Sequence, residues 1–191
     1  MKNVLIIGCG LLGSSLVRRI SKKKIAKKIF IYEKSKSNIT KIKKLKLPCT
    51  IVKSLKDDVV NFDLIIFCTP MSEYKKLILK INSFISSKTL ITDIGSSKIE
   101  SSKIINKFLK KGIHWIRSHP ITGSEVSGPE HGKYNMFVNK WCVLIKDKKT
   151  NSRHLKFLNS FWKKVGSKTV IMDSKKHDKI FSITSHLPHL I

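Results

Sequence analysis

Three glycines between two apolar stretches constrain the fold of this chain more than any other feature. Gly8, Gly10 and Gly13 follow the apolar residues 4–7 in GxGxxG spacing, and a second apolar run covers residues 29–32. In such a unit the first glycine permits a tight strand-to-helix turn, the second lets a pyrophosphate approach the backbone, and the third lets helix and strand pack closely. The free N–H groups at the start of the helix then attract the phosphates. The pattern predicts a βαβ unit that binds a dinucleotide.

An acidic residue follows the second apolar run at the spacing that this kind of site requires. Glu33 lies twenty positions beyond Gly13 (33 − 13), where a carboxylate can accept hydrogen bonds from an adenosine ribose. Because a carboxylate repels a 2′-phosphate, we expect NAD as the cofactor. The segment Lys34, Ser35 and Lys36 could bind that phosphate, so NADP stays as the less favoured alternative. The predicted cofactor-binding residues here are Gly8, Cys9, Gly10, Leu11, Leu12, Gly13 and Glu33.

Strands and helices alternate along the rest of the chain. This order predicts an α/β fold of the Rossmann type, with a doubly wound and mainly parallel sheet. Thr69 and Pro70 end one strand at its carboxyl end, the edge where open α/β sheets bind ligands. We expect strands at 4–7, 29–32, 49–52, 62–68, 89–92, 113–118, 141–145 and 168–172, helices at 37–47, 73–84, 99–109, 155–165 and from 175, and a polar loop at 121–139.

The formal charge of +27 is the most conspicuous bulk property of the 191 residues. Such a charge can attract nucleic acid or an anionic membrane. The lysines, however, are spread along most of the chain, and there is neither an arginine-rich tract nor an RNA-binding aromatic motif. We therefore expect no specific nucleic-acid partner, although the positive field would attract anionic substrates and cofactors.

The amino-terminal segment and the cysteines bear on cellular location. Lys2 and the apolar stretch after it could be read as a secretory signal, but three glycines interrupt that stretch and no AxA-like cleavage site follows. No run reaches the length of a membrane span. The cysteines, Cys9, Cys49, Cys68 and Cys142, show no CxxC or metal-ligand spacing and are interpreted as reduced thiols. These features predict a cytoplasmic protein without a membrane partner.

Two polar clusters follow predicted strands and are candidates for chemistry. Residues 93–98, DIGSSK, mark the start of a helix, and their plain interpretation is that Ser96 or Ser97 is its N-cap. Residues 119–125, HPITGSE, place His119 between a strand end and a loop rich in Gly and Ser. A histidine held at such an edge of a dinucleotide-binding fold is a plausible general base.

A third cluster, HDKIFSITSHLPHLI, covers residues 177–191 and has two histidines close together. His186 and His189 are three positions apart, which on a helix places both on one face, although Pro188 strains the continuation of that helix. Such a pair could hold a metal ion, but no third ligand is apparent, and we predict no metal site.

Taken together, these segments resemble a known family. GCGLLGSSL, IYEK, CTP at 68–70, DIGSSK, HPITGSEVSGPEHG and SHLPHL are similar, in this order, to prephenate dehydrogenase and its arogenate and cyclohexadienyl relatives. The resemblance covers nearly the whole chain. It implies NAD-dependent oxidative decarboxylation of prephenate to 4-hydroxyphenylpyruvate, or of arogenate to tyrosine, in tyrosine biosynthesis.

The resemblance also implies roles for individual residues. His119 would bind and polarise the ring hydroxyl, and Ser96 would contact the same region. Thr69 and Pro70 would lie in the loop beside the nucleotide. The implied substrate pocket comprises His186, His189, Gly123 and Ser124.

The family further implies a second, helical domain that forms a homodimer and supplies an arginine for the substrate carboxylate. We therefore expect a Rossmann-like domain at 1–173 and the start of a linking helix at 174–191, with the sequence as the front portion of a longer protein. Two alternatives stay open: another Rossmann dehydrogenase or reductase, and a non-catalytic dinucleotide-binding module that has no substrate domain.

Overall fold

The computed structural model describes residues 1–55 and 61–186. The strands are β1 (Asn3–Ile7), β2 (Lys28–Tyr32), β3 (Thr50–Ile51), β4 (Leu64–Phe67), β5 (Leu90–Asp93), β6 (His114–Trp115), β7 (Ser118–Pro120), β8 (Trp141–Ile145) and β9 (Lys168–Met172). The helices are α1 (Leu11–Lys22), α2 (Lys36–Lys44), α3 (Tyr74–Ile81), α4 (Lys98–Phe108), α5 (Ser152–Val165) and α6 (Ser174–His186), with short 3-10 turns at Met71–Glu73 and Pro129–His131.

The main sheet has the strand order β3-β2-β1-β4-β5-β6, and every pair in it is parallel. A second sheet contains β7, β8 and β9, in which β7 and β8 are antiparallel and β8 and β9 are parallel. The predicted α/β fold with a mainly parallel, doubly wound sheet is confirmed. In the main sheet Ile7, Phe67 and Asp93 lie side by side, so the carboxyl ends of β1, β4 and β5 meet at one edge.

Both faces of the main sheet are covered, which explains why its strands are continuously apolar. In β1, Val4 and Ile6 belong to one buried cluster that includes side chains of α1 and α5. Leu5 and Ile7 belong to a second cluster, on the other face, with side chains of α3 and α4. All four of these β1 residues are at most 1% exposed. The sheet is therefore a rigid platform for the loops at its carboxyl edge.

The strand predicted at residues 113–118 is wrong as a single element. The chain leaves the main sheet after β6 and enters the second sheet at β7. The N–H of Ile116 still donates to the carbonyl of Ile91 in β5 (2.9 Å), whereas the carbonyl of Arg117 accepts from Ile145 in β8 (3.0 Å). Consecutive backbone groups thus bond to different sheets, and this transition places His119 in the second sheet beside Val143.

Two helix boundaries, the end of α2 and the start of α5, also differ from the prediction. Helix α2 ends at Lys44, three residues before the predicted end at 47, because Lys46 adopts a left-handed φ of 48°. Helix α5 begins at Ser152, since the side chain of Asn151 accepts from the N–H groups of Arg153 and His154 and caps it.

The prediction of Ser96 or Ser97 as the N-cap of α4 is confirmed for the position only. Ser97 occupies the N-cap position, but its side chain makes no capping hydrogen bond. The carboxylate of Asp178, from α6, accepts instead from the N–H groups of Lys98 and Ile99 (2.9 and 2.8 Å). A cap from a distant helix ties α6 to the start of α4. No helix in the described ranges is long and apolar enough to cross a membrane.

Candidate active site

The glycine turn after β1 has the geometry that its spacing predicts. Gly8 has a φ of +90°, and a Cβ there would lie 2.7 Å from Cγ2 of Thr69. A Cβ on Gly13 would overlap the carbonyl oxygen of Gly8, so the close approach of α1 to the turn requires glycine. A Cβ on Gly10, by contrast, would have nothing within 4 Å. The space beside Gly10, at the start of α1, is therefore open to a ligand such as a pyrophosphate.

Glu33 lies directly over this turn. Its carboxylate accepts hydrogen bonds from the N–H groups of Cys9 (2.8 Å) and Ser35 (2.9 Å), which fix it at the carboxyl end of β2. A pocket of about 200 Å³ adjoins it, lined by Ile7, Gly8, Tyr32, Glu33, Thr69 and Leu77 among others. A pocket of mixed apolar and acidic lining next to a glycine turn suits the adenosine half of a dinucleotide.

The CTP segment completes this side of the site. The N–H of Cys68 donates to the carbonyl of Ile7 (2.7 Å), which holds the segment against the glycine turn. The hydroxyl oxygen of Thr69 is buried and has no hydrogen-bond partner within the described part of the chain. Since buried hydroxyls are normally paired, this oxygen is available to a ligand. Thr69 and Pro70 follow the carboxyl end of β4, as predicted, and they line the same pocket as Gly8.

A segment of the predicted polar loop packs onto the beginning of α1. The N–H of Lys133 donates to Oγ of Ser15 (3.0 Å), and Arg18 donates to the carbonyl of Pro129 (3.0 Å). A Cβ on Gly132 would overlap the hydroxyl of Ser14, so this contact also requires glycine. No local sequence pattern indicates this contact, because these residues are more than a hundred positions from α1.

The DIGSSK and HPITGSE clusters meet at the carboxyl end of β5. Oγ of Ser118 donates to the carbonyl of Asp93 (2.7 Å), and Nζ of Lys98 donates to the carbonyl of Ser118 (2.9 Å). His119 follows directly and is partly buried. Ser96 is exposed in the turn before α4, and the predicted pocket residues Gly123 and Ser124 are exposed in the loop after β7.

A buried ion pair anchors this junction. Nζ of Lys98 lies 2.7 Å from Oδ2 of Asp93, and neither side chain is exposed. The same carboxylate accepts from the hydroxyl of Tyr74 (3.2 Å) and from Nε1 of Trp115 (3.3 Å). Burial lowers the pKa of Lys98, while the carboxylate of Asp93 acts in the opposite direction. The pair therefore fixes the turn that carries Ser96 relative to the strand that carries His119.

His119 contacts His177 of α6, which in turn contacts Asp178, and the sequence analysis proposed no role for either residue. Nδ1 of His119 lies 2.9 Å from Nε2 of His177, and Nδ1 of His177 lies 2.6 Å from Oδ1 of Asp178. The pKa of His119 is lowered to about 3, chiefly by burial and then by the positive charge of Lys98. The imidazole of His119 is consequently neutral at neutral pH, as a hydrogen-bond acceptor must be.

Some predicted residues cannot be placed in this geometry. His186 is the last residue of α6, but its side chain is not among those described, and His189 lies outside the described residues. No group of three or more His, Cys, Asp or Glu side chains that could hold a metal ion occurs at 1–55 or 61–182. The largest clefts elsewhere include one of about 460 Å³, lined by Lys110, Lys111 and Lys148 among others, which contains none of the predicted site residues.

Comparison with known proteins identifies the family. A family model described as the nucleotide-binding domain of prephenate dehydrogenase matches residues 16–171. The chain belongs to the prephenate dehydrogenase family. The resemblance of the sequence motifs to this family is thereby confirmed.

Individual members of the prephenate dehydrogenase family match over the whole chain. Cyclohexadienyl dehydrogenase of Zymomonas mobilis is 28% identical over 100% of the chain and 64% of its own length. Prephenate dehydrogenase of Lactococcus lactis is 32% identical over 100% of the chain and 52% of its own length. The crystal structure of prephenate dehydrogenase from A. aeolicus, in complex with hydroxyphenyl propionate and NAD+, has a TM-score of 0.91 at 29% identity, over 100% of the chain and 66% of that structure. The chain thus spans about half to two thirds of these relatives.

Proposed function

We propose that the natural protein catalyses the oxidative decarboxylation of prephenate or arogenate with NAD, yielding 4-hydroxyphenylpyruvate or tyrosine. The observation that carries the proposal is the junction of the two clusters: Ser118, directly before His119, bonds to the carboxyl end of β5. Only β4 separates β5 from β1, the strand that carries the glycine turn. The relatives named as prephenate and cyclohexadienyl dehydrogenases support the reaction. The A. aeolicus relative binds NAD+ and an aromatic acid, which supports the choice of cofactor and substrate class.

The residues present fit NAD. The open backbone at Gly10 can accommodate the pyrophosphate, and the unpaired hydroxyl of Thr69 can bind the nucleotide side of the cofactor. Glu33 is fixed where it can accept bonds from ribose hydroxyls and where it would repel a 2′-phosphate. Lys34, the nearest cation in sequence, forms an ion pair with Glu73, which weakens the case for NADP. When bound, NAD supplies an acceptor for the hydride that leaves the substrate.

The chain's own residues supply acid–base chemistry and orientation. The neutral imidazole of His119 would accept the proton of the ring hydroxyl while the ring carbon that bears this hydroxyl is oxidised. Ser96 would contact the same region from the start of α4. We propose His186, His189, Gly123 and Ser124 as further residues of the substrate pocket. The positive charge that dominates the chain would attract the anionic substrate.

We also propose a homodimer in the cytoplasm, without a nucleic-acid partner, and a boundary between the nucleotide-binding domain and a linking helix near residue 173. The four free cysteines support a reducing compartment. Helix α6, which begins at Ser174, supports the boundary. The mass of the natural protein in light scattering tests the dimer.

Two variants of the natural protein separate the cofactor site from the catalytic group. We expect His119→Asn to lower kcat about 10²–10⁴-fold with prephenate or arogenate, because it removes the proton acceptor, while the Kd for NAD changes little. We expect Gly10→Val to abolish NAD binding, because its side chain enters the open space at the turn, where an added Cβ has no protein atom within 4 Å. Absorbance of the reduced nicotinamide measures turnover, and calorimetry measures Kd.

Both variants are expected to keep the Tm of the natural protein, which serves as the folding control. Unchanged turnover in His119→Asn would remove His119 from the mechanism. Tight NAD binding by Gly10→Val would contradict the cofactor site. A natural protein that oxidises neither prephenate nor arogenate would overturn the proposed reaction itself.

A further inference from the structure

His119, His177 and Asp178 form a hydrogen-bonded chain that runs from β7 through α6 to the start of α4. His119 on β7 contacts His177 on α6, with Nδ1 and Nε2 2.9 Å apart. The other nitrogen of His177, Nδ1, lies 2.6 Å from Oδ1 of the neighbouring Asp178. His177 is 0% exposed, so its two ring nitrogens bond to the protein rather than to water. The protons on this hydrogen-bonded chain are therefore fixed by the protein groups at its ends.

Asp178 fixes one end because it can only accept. Its carboxylate accepts from the N–H groups of Lys98 and Ile99 in the first turn of α4. Burial pushes the pKa of Asp178 upward, but these N–H groups and His177 bring it below its usual value, so the carboxylate is charged. A charged carboxylate has no proton to donate. Nδ1 of His177 must therefore carry the proton in their shared hydrogen bond.

The proton on Nδ1 determines the other nitrogen of His177. Burial lowers the pKa of His177 against the opposing effect of Asp178, so the ring is neutral at neutral pH. A neutral imidazole protonated on Nδ1 can only accept at Nε2. His119 must then donate from its own Nδ1, and its Nε2 carries the lone pair.

We propose that His177 and Asp178 are positioning residues that hold His119 in the tautomer whose Nε2 accepts the proton of the substrate hydroxyl. This inference rests on the proposed function, in which His119 is the proton acceptor. Neither residue needs to touch substrate or cofactor. Their role is to fix the ring orientation and the proton position of His119 before the substrate binds.

The charges around His119 are consistent with this role. Lys98 approaches from α4, His177 and Asp178 from α6, and Asp93 from β5. Burial, Lys98 and His177 lower the pKa of His119, whereas Asp178 raises it. Asp178 is thus the anion in this group that favours the imidazolium formed when the substrate proton arrives, in addition to fixing the tautomer.

If Asp178 served only as the cap of α4, its replacement would affect stability but not the tautomer of His119. One substitution separates this structural role from the positioning role. In Asp178→Asn the amide oxygen can take the place of Oδ2, which accepts from the N–H groups of Ile99 (2.8 Å) and Lys98 (3.2 Å), so the cap loses only the shorter bond from Lys98 to Oδ1. The amide NH₂ then faces Nδ1 of His177 and donates to it. Both hydrogen bonds then reverse their direction. His177 becomes protonated on Nε2 and donates to Nδ1 of His119, so His119 becomes protonated on Nε2 as well.

We expect Asp178→Asn in the natural protein to lower kcat at least about 100-fold, as the loss of a general base does, with KM and the Kd for NAD within about threefold of wild type and Tm nearly unchanged. Nitrogen-15 NMR of the imidazoles, without cofactor or substrate, should show His119 protonated on Nδ1 in wild type and on Nε2 in Asp178→Asn. His119→Asn identifies the signals of residue 119. Wild-type protein with His119 protonated on Nε2 would overturn the inference, as would an unchanged kcat in Asp178→Asn.

A second pair of variants keeps the test informative if Asp178→Asn fails to fold. His177→Gln offers a carbonyl oxygen to His119 and an amide proton to Asp178, whereas His177→Leu has similar volume and offers neither. We expect the Gln variant to retain at least about tenfold more kcat than the Leu variant, and equal kcat values would contradict the role of His177. The NMR experiment needs no turnover. It therefore distinguishes a wrong assignment of the His119 tautomer from a wrong choice of substrate or reaction.

Discussion

At the scale of single residues, the carboxylate of Asp93 is the group on which the site geometry depends most. It is fully buried, and it accepts from Lys98, Tyr74, Trp115 and the N–H of Gly95. Removing one partner of a buried ion pair leaves an uncompensated charge, which costs much more than the pair itself contributes. Lys98 also donates to the carbonyl of Ser118, directly before His119. Replacing Lys98 should therefore lower the free energy of unfolding measurably.

We predict that Lys98→Met lowers the free energy of unfolding by about 3–5 kcal/mol, because it leaves Asp93 charged and buried without its cation. The double variant Asp93→Asn with Lys98→Met should be more stable than Lys98→Met alone, since it removes the charge that the single variant strands. Urea unfolding followed by circular dichroism measures all three variants and wild type. A loss below about 1 kcal/mol in Lys98→Met would show that Asp93 is not charged.

The residues of the site divide into those that local spacing reveals and those that it does not. The glycine turn and Glu33 could be predicted because turn, helix and acid follow one another at fixed distances. His119 could be predicted from a distinctive neighbouring sequence. His177 could not, since it meets His119 across 58 positions and nothing in the spacing links the two. A buried His-Asp dipeptide is visible in the sequence only as one polar pair among many.

At the scale of elements, the helix starts show the same division. Helix α5 begins with a local cap, and Asn151 is the kind of residue that such a cap requires. Two serines directly precede helix α4, yet the first N–H groups of the helix bond to Asp178 from α6. The Ser residues allowed a local cap to be predicted, but a carboxylate is a stronger acceptor for helix N–H groups. The tertiary contact prevails over the local preference.

The local cap of α5 can be tested by itself. We predict that Asn151→Ala lowers stability by about 1 kcal/mol, because two N–H groups of the first turn lose their acceptor. Asn151→Ser restores an acceptor of similar capping strength and is the matched control, with stability close to wild type. Thermal unfolding measures both variants. Equal losses in the two would mean that the side chain of Asn151 contributes something other than a cap.

Residues 113–118 are divided between two sheets, which hydrophobic periodicity in the sequence cannot predict. The segment is a continuous run of strand-forming residues, and hydrophobic periodicity gives no indication of a change of partner. The transition depends on where β5 and β8 lie, and on Arg117, whose side chain donates to the carbonyl of Lys98 (2.9 Å) and forms an ion pair with Asp147. Only the assembled fold places those partners beside it.

At the scale of the whole molecule, the charge of +27 affects stability as well as ligand attraction. There are 39 Lys and Arg residues against 12 Asp and Glu residues, so most cations cannot have an acidic partner. The ion pairs that the described residues do form include buried or half-buried ones at the site, such as Lys98 with Asp93. Repulsion among the remaining surface cations opposes compaction. Salt screens exposed charges much more than buried ones.

We therefore predict that added sodium chloride stabilises the protein. Raising the concentration from about 10 mM to about 150 mM shortens the screening length from about 30 Å to about 8 Å, which weakens repulsion between surface lysines far more than the buried pair at Asp93. Tm should rise by at least about 2–4 °C, the shift that 1 kcal/mol produces in a chain of this size. Differential scanning calorimetry measures this shift in Tm. The variant Gly10→Val is the control for anion binding at the glycine turn. A rise confined to the wild type would indicate a bound anion, whereas an equal rise in both proteins is the signature of general screening. A Tm that stays constant or falls would show that favourable pairs balance the excess of cations.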